Sequence, residues 1–180
     1  MRRQHVVVIG GANSAGQAAV YFSQYAQRVT VLARSPLEKS MSHYLIAQLA
    51  TRPNVDIRTG AVAVAAEGED GRLRALRIRD AAGAECVEAV DACFVFIGAA
   101  PRTEWLAGVV ARDERGFILA GADAKAAGWP LRRDPYLLET TVPGVFVAGD
   151  VRARSIKRVA SAVGEGSMAV SLIHEYLAQA

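Results

Sequence analysis

Four consecutive apolar residues, Val6-Val7-Val8-Ile9, predict a strand buried on both faces, as in a parallel sheet. Gly10 and Gly11 turn the chain, and residues 14–27 then carry Ala15, Ala19, Phe22 and Ala26 at helical spacing. A second strand over 28–35 completes a β-α-β unit. Residues 36–51 predict a helix with Leu37, Met41, Tyr44, Leu45 and Leu49 as its apolar face, stopped near Pro53. From 55 to 90 the pattern changes to short alternating pieces at 55–57, 61–65, 76–79 and 86–88. Gly60 and the turn-rich stretches 67–71 and 81–83 separate them, which predicts an antiparallel β-meander whose charges form its solvated side. Residues 91–98 return to a buried strand that ends in Gly98.

Ala99-Ala100-Pro101-Arg102-Thr103 breaks the chain, and a first domain is expected to close near residue 100. Residues 116–119 read as one more short strand, and 121–135 as a Gly-, Ala- and Pro-rich loop packed down by Trp129. A buried strand over 143–148 is expected to run into Gly149-Asp150. The last helix, beyond Ser155, carries Val159, Val163, Val170, Ile173 and Leu177 on one side. Gly164 and Gly166 interrupt it at a cost of about 1 kcal/mol each, for which close packing on a ligand or strand is a reasonable cause.

Half of the 180 residues are apolar and the formal net charge is +3, the composition of a globular chain with a sizeable core. The basic residues are scattered, with no basic helix interleaved with aromatics, so nucleic-acid binding has little support. No apolar run reaches membrane-spanning length, and the first residues lead straight into a core strand, leaving no room for a signal peptide. A cytoplasmic location is the expectation. Cys86 and Cys93 form no Cys-x-x-Cys motif and read as buried reduced thiols. His5, His43 and His174 are dispersed, read as surface or capping residues, and suggest no metal site.

A strand, a glycine turn and a helix place free backbone N–H groups and the positive end of a helix dipole where an anion can sit, usually a dinucleotide pyrophosphate. Gly10, Gly11, Ala12, Asn13, Ser14 and Ala15 form this stretch, with Ala12 standing where the middle glycine of G-x-G-x-x-G/A belongs. An ordinary tight turn is the alternative. At the tip of the second strand Arg34 and Ser35, with Lys39 beyond, offer cations and a hydroxyl where a carboxylate would select an unphosphorylated ribose. That favours NADPH over NADH, unless Arg34 is simply a solvated strand-end residue. Asp150, at the end of a strand, is placed to accept hydrogen bonds from ligand hydroxyls, or to cap a turn. Tyr-x-x-x-Lys, Gly-x-Ser-x-Gly and the P-loop are missing, and no side chain presents itself as a catalytic acid or base.

Three pieces occur in order: the glycine turn, Ile97-Gly98-Ala99-Ala100-Pro101-Arg102-Thr103, and residues 143–151 followed by a glycine-broken helix. Together they resemble the low-molecular-weight thioredoxin reductases, FAD-dependent pyridine nucleotide-disulfide oxidoreductases. The resemblance implies an α/β fold with a Rossmann-like NAD(P)H-binding domain over 1–104 that carries a β-meander insertion. Residues 105–180 would be the C-terminal part of a second, FAD-type α/β domain. It implies NADPH and FAD as cofactors, with Ile97 and Gly98 beside the nucleotide, Gly149 and Asp150 on FAD, and Lys157, Arg158 and Val159 near the flavin. Hydride would pass from NADPH to flavin and on to the disulfide of a thioredoxin-like protein or another redox acceptor, in a homodimer at full length. The family's first FAD half and its Cys-x-x-Cys are not within this sequence, so the isolated chain is expected to be inactive. A flavin-dependent reductase of a non-disulfide acceptor such as ferredoxin, and a silent nucleotide-binding regulatory module, are the other readings.

Overall fold

The computed structural model describes residues 4–179. The chain divides into two compact units, Met1–Gly98 and Ala99–Ala180.

In the first unit β1 (His5–Ile9), β2 (Arg28–Ala33), β3 (Val55–Thr59) and β7 (Ala92–Val95) make a parallel sheet in the order β3-β2-β1-β7. Val7 stands opposite Thr30 on one side and Cys93 on the other, so β1 is central and its valines are fully buried. Alternation sends them to two cores. Val6 and Val8, with Val29 and Val31, pack on α1 (Asn13–Phe22) and α2 (His43–Ala50) through Ala15, Ala19, Phe22, Leu45 and Leu49. Val7 and Leu32 face the opposite way, onto Ala61, Leu76, Ile78 and Val90. That second layer is an antiparallel sheet, β4 (Val62–Glu69), β5 (Arg72–Arg79) and β6 (Glu85–Ala89), in the order β4-β5-β6. The Asp70-Gly71 pair between β4 and β5 has φ of 51° and 72°, the doubly left-handed conformation of a tight hairpin whose twist matches its strands.

Several expectations change here. Residues 55–57 belong to the parallel sheet rather than to the meander, because β3 pairs with β2. The strands around 67–71 run on to a two-residue tip. The 36–51 helix is broken: Leu37–Lys39 form one 3₁₀ turn, and α2 starts only at His43. Leu37, Met41, Leu45 and Leu49 are buried as expected, but Tyr44 is exposed. The 14–27 helix stops at Phe22. The 91–98 strand is an edge strand, with Val95 and Ile97 exposed. Cys86 is exposed and Cys93 half-buried, so neither is the buried thiol expected. His5 is more than a surface group, since its ring bonds Ala89 O and Thr30 Oγ1. The meander's charges are not all solvated either. Arg58 on β3 donates to both oxygens of Glu88 on β6, at 2.5 and 3.2 Å, and joins the two sheets.

The second unit holds little regular structure: α3 (Ala122–Ala126), α4 (Val159–Leu177) and short 3₁₀ turns around a small core of Val110, Ile118 and Val147. The stretch expected as a loop over 121–135 contains α3, and Trp129 does pin it, donating Nε1–H to Arg133 O. The strands expected at 116–119 and 143–148 are reduced to isolated bridges, Arg112 with Ile118, Ile118 with Arg152 and Glu139 with Phe146. A strand needs a neighbouring ladder to satisfy its N–H and C=O groups, and the described residues of this unit supply none. In their place a buried ion pair organises the loops. Glu139, with no exposed surface, accepts two bonds from Arg133 and one each from the N–H groups of Tyr136 and Gly144, all at 2.8–2.9 Å. The Arg133 guanidinium lies over the rings of Trp129, Tyr136 and Tyr176.

Along α4 the apolar residues expected to be packed are exposed: Val159 is 83 % exposed, Val163 67 %, Val170 56 % and Leu177 63 %. The helix continues through Gly164 and Gly166, and a Cβ at either would meet no protein atom within 4 Å, so no strand of the described residues packs on them. No helix of the described residues is long and apolar enough to cross a membrane.

Candidate functional site

At the carboxyl end of the parallel sheet, a cavity of about 510 Å³ opens beside the glycine turn. This is the end at which ligands bind in open α/β sheets. Gly10 is forced to be glycine twice over. Its φ of 147° strains any other residue, and a Cβ would collide with the carbonyl oxygen of Phe96. The chain therefore crosses directly over the end of β7 and enters α1 with Gly11 and Ala12 lining the cavity. No side chain caps α1 and no acidic residue occupies its first turn, so its leading N–H groups and its dipole are available to an anion. Arg34, Ser35, Ile97 and Gly98 line the same cavity. Arg34 is exposed and makes no ion pair among the described residues.

The remaining first-unit candidates have other positions. Asn13 uses its Oδ1 to accept the Ser42 N–H at 2.7 Å, Ser14 is exposed on the first turn of α1, and Ala15 is fully buried beneath Gly10 as a packing residue. Lys39 is exposed in the 3₁₀ turn and does not line the cavity. Sequence reasoning missed Ser40, whose hydroxyl donates to Gly11 O at 2.9 Å, and the wall formed by Ala61, Val62, Ala63 and Phe96. It missed Gly16 as well. A Cβ there would press on Met41, just before α2, at 2.9 Å and on Leu45 of α2 at 3.3 Å, so its absence lets these two side chains pack against α1.

In the second unit Gly149–Val151 form a 3₁₀ turn with Gly149 buried at φ 80° and Asp150 exposed. Lys157 is engaged internally. Its Nζ donates to Asp150 O, Arg152 O and Ser155 Oγ at 2.5–2.9 Å and lies over the Phe117 ring, and desolvation holds its pKa below that of an ordinary lysine. Arg158 is the residue before α4 and Val159 its first, both exposed. The described residues offer no group of three or more His, Cys, Asp or Glu able to hold a metal.

The sequence profile of the pyridine nucleotide-disulphide oxidoreductases matches residues 1–166. The chain is 33% identical over 175 residues to the F component of alkyl hydroperoxide reductase of Pseudomonas putida, covering 97% of this chain and 31% of that protein. It is 25% identical over 178 residues to thioredoxin reductase of Listeria innocua, covering 98% of this chain and 51% of that one. Among solved structures, thioredoxin reductase from T. acidophilum superposes with a TM-score of 0.72 at 28% identity, covering 97% of this chain and 53% of that one. The enzyme from Lactococcus lactis superposes with a TM-score of 0.77 at 22% identity, over all of this chain and 55% of that one, and so speaks to the fold alone. The chain thus spans about half the length of these thioredoxin reductases and about a third of the hydroperoxide reductase component. It belongs to the pyridine nucleotide-disulphide oxidoreductase family.

Proposed function

We propose that these 180 residues are the NADPH-binding part, and one wall of the FAD site, of a flavin-dependent reductase acting on the disulfide of a thioredoxin-like protein. Residues 1–104 would serve NADPH and 105–180 would serve FAD. The observation that carries the reading is the cavity at Gly10, Gly11 and Ala12, walled by an arginine with no carboxylate partner among the described residues. Its residues fit the cofactor: N–H groups at the uncapped start of α1 suit a pyrophosphate, and Arg34 with Ser35 suits a ribose phosphate. At the second-unit turn the Asp150 carboxylate is exposed and its N–H has no partner among the described residues, a donor and acceptor set that suits a polyol phosphate. Bound together, the two cofactors would supply the hydride and its acceptor. The protein's share is to bind them and exclude competing water, with no side chain needed as acid or base.

Binding of NADPH and NADH to the 180-residue chain, measured by calorimetry, tests this. NADPH should bind more tightly, and Arg34→Glu should reduce the preference by about 10- to 100-fold, the worth of one hydrogen-bonded charge pair. Equal dissociation constants for the two nucleotides in the parent chain would overturn the assignment. A non-disulfide acceptor such as ferredoxin is the second reading. Thioredoxin-dependent NADPH oxidation by a flavin-loaded protein would decide against it.

A further inference from the structure

The carbonyls of residues 149–152 are all engaged within the second unit. Gly149 O accepts the Arg152 N–H, Asp150 O accepts Lys157 Nζ, and Val151 O accepts the Ile118 N–H, at 3.1, 2.5 and 2.9 Å. Arg152 O accepts both Lys157 Nζ and Ser155 Oγ. On the N–H side Gly149 donates to Glu165 Oε2 at 2.8 Å. Glu165 stands on α4 one turn beyond Ala162, whose Cβ lies 3.3 Å from where a Cβ on Gly149 would be, so the turn rests on one face of that helix. The same carboxylate takes a forked bond from Arg152, Nε to Oε2 at 3.0 Å and Nη2 to Oε1 at 2.5 Å, in a pair only 22 % and 14 % exposed. What the turn leaves unpartnered among the described residues is the Asp150 carboxylate with the Asp150 N–H.

We infer that Glu165 is a positioning residue for the Gly149–Asp150 turn: it fixes Gly149 in its left-handed conformation so that Asp150 and its N–H stay presented to a ligand, while Arg152 aligns the carboxylate. The inference rests on the reading of Asp150 as a flavin contact, and Glu165 acts through Gly149 rather than on the ligand. An ion pair alone would need only Arg152. The geometry adds a second bond, to the one buried N–H of the turn that neither a strand nor a helix can satisfy. Arg152 and the Gly149 N–H, against burial, hold the Glu165 carboxyl below the usual carboxylate range, so it stays an acceptor across the neutral range.

Amide hydrogen exchange on the full 180-residue chain tests the assignment. Glu165→Ala should speed exchange at Gly149 by tenfold or more, while the amides of β1 keep their protection. Glu165→Gln, which still accepts the Gly149 N–H but carries no charge, should give a smaller rise and covers the case in which the alanine variant fails to fold. Unchanged protection at Gly149 in either folded variant would overturn the inference. The same proteins titrated with FAD at high concentration supply the second arm. Weak binding by the parent should fall tenfold in Glu165→Ala and less in Glu165→Gln. Equal affinity in all three, with faster exchange, would overturn the positioning role. No binding by the parent would overturn the reading of Asp150, and the exchange data would still decide whether Glu165 holds the turn.

Discussion

At the residue scale, the Glu139 carboxylate of the second unit shows how burial and pairing oppose each other. Burial pushes the Glu139 carboxyl up. Bonds from Arg133 and from the Gly144 and Tyr136 N–H groups outweigh it and leave the pKa below its ordinary value of 4.5. A group with a depressed folded pKa contributes stability that is fully present above the unfolded value and is lost as pH falls through the folded one. Urea unfolding should therefore give a stability that is level from pH 5 to 8 as far as this group is concerned, and that declines below about pH 4.5. Glu139→Gln should be less stable by about 1–3 kcal/mol at pH 7, and the gap should close in acid. An equal gap at pH 3 and pH 7 would show that the charge of Glu139 carries no stability. Nothing in the sequence marks this pair. Arg133 and Glu139 lie six apart in a stretch without periodicity, and only the folding of the loop brings them together. Gly10 and Arg34 were legible at the same scale because each has a local cause, a turn between a strand and a helix and a strand tip.

At the scale of elements, the β1-α1-β2 unit was readable because a strand buried on both faces carries an unbroken apolar run, and Val6, Val7 and Val8 are all fully buried. β3 escaped correct placement for the same reason in reverse. As the outer strand it leaves Asp56 and Arg58 half-solvated and paired with each other, so it reads like a ribbon strand. The break between the 3₁₀ turn and α2 was hidden because Met41 keeps helical spacing through it and is buried all the same. The walls of the cavity at Ala61, Val62, Ala63 and Phe96 carried no signal, since small side chains and a carbonyl oxygen line it by topology rather than by type. For α4 the apolar stripe was legible, but not that it lacks a cover among the described residues. Val163→Lys with Val170→Lys should therefore shift the thermal midpoint by no more than about 0.5 kcal/mol of stability would, while lowering self-association in light scattering. A large loss of stability would show that the stripe is packed in solution.

At the scale of the whole molecule, the exposed stripe and the bare Asp150 turn have one explanation under the proposed function. On that reading the second unit would present one side of a flavin site, and the other side would come from outside these 180 residues. FAD needs both sides, and losing half of its contacts forfeits several kcal/mol, each 1.4 of which is tenfold in affinity. The 180-residue chain should purify colourless and show no NADPH-dependent disulfide reduction. A stoichiometric flavin spectrum from this chain alone would overturn the half-site reading.

The hairpin tip at Asp70-Gly71 has a practical consequence. Both residues are exposed, a Cβ on Gly71 would meet nothing within 4 Å, and neither residue lines the cavity beside Gly10. Backbone of that kind tolerates cutting and rejoining. New chain ends placed there, or a fluorescent domain spliced between the two residues, would leave the β1-α1-β2 and β2-to-β3 connections intact and would interrupt only the long excursion from β3 to β7 at its outer tip. The meander would become a handle for attaching a reporter to a nucleotide-binding fold.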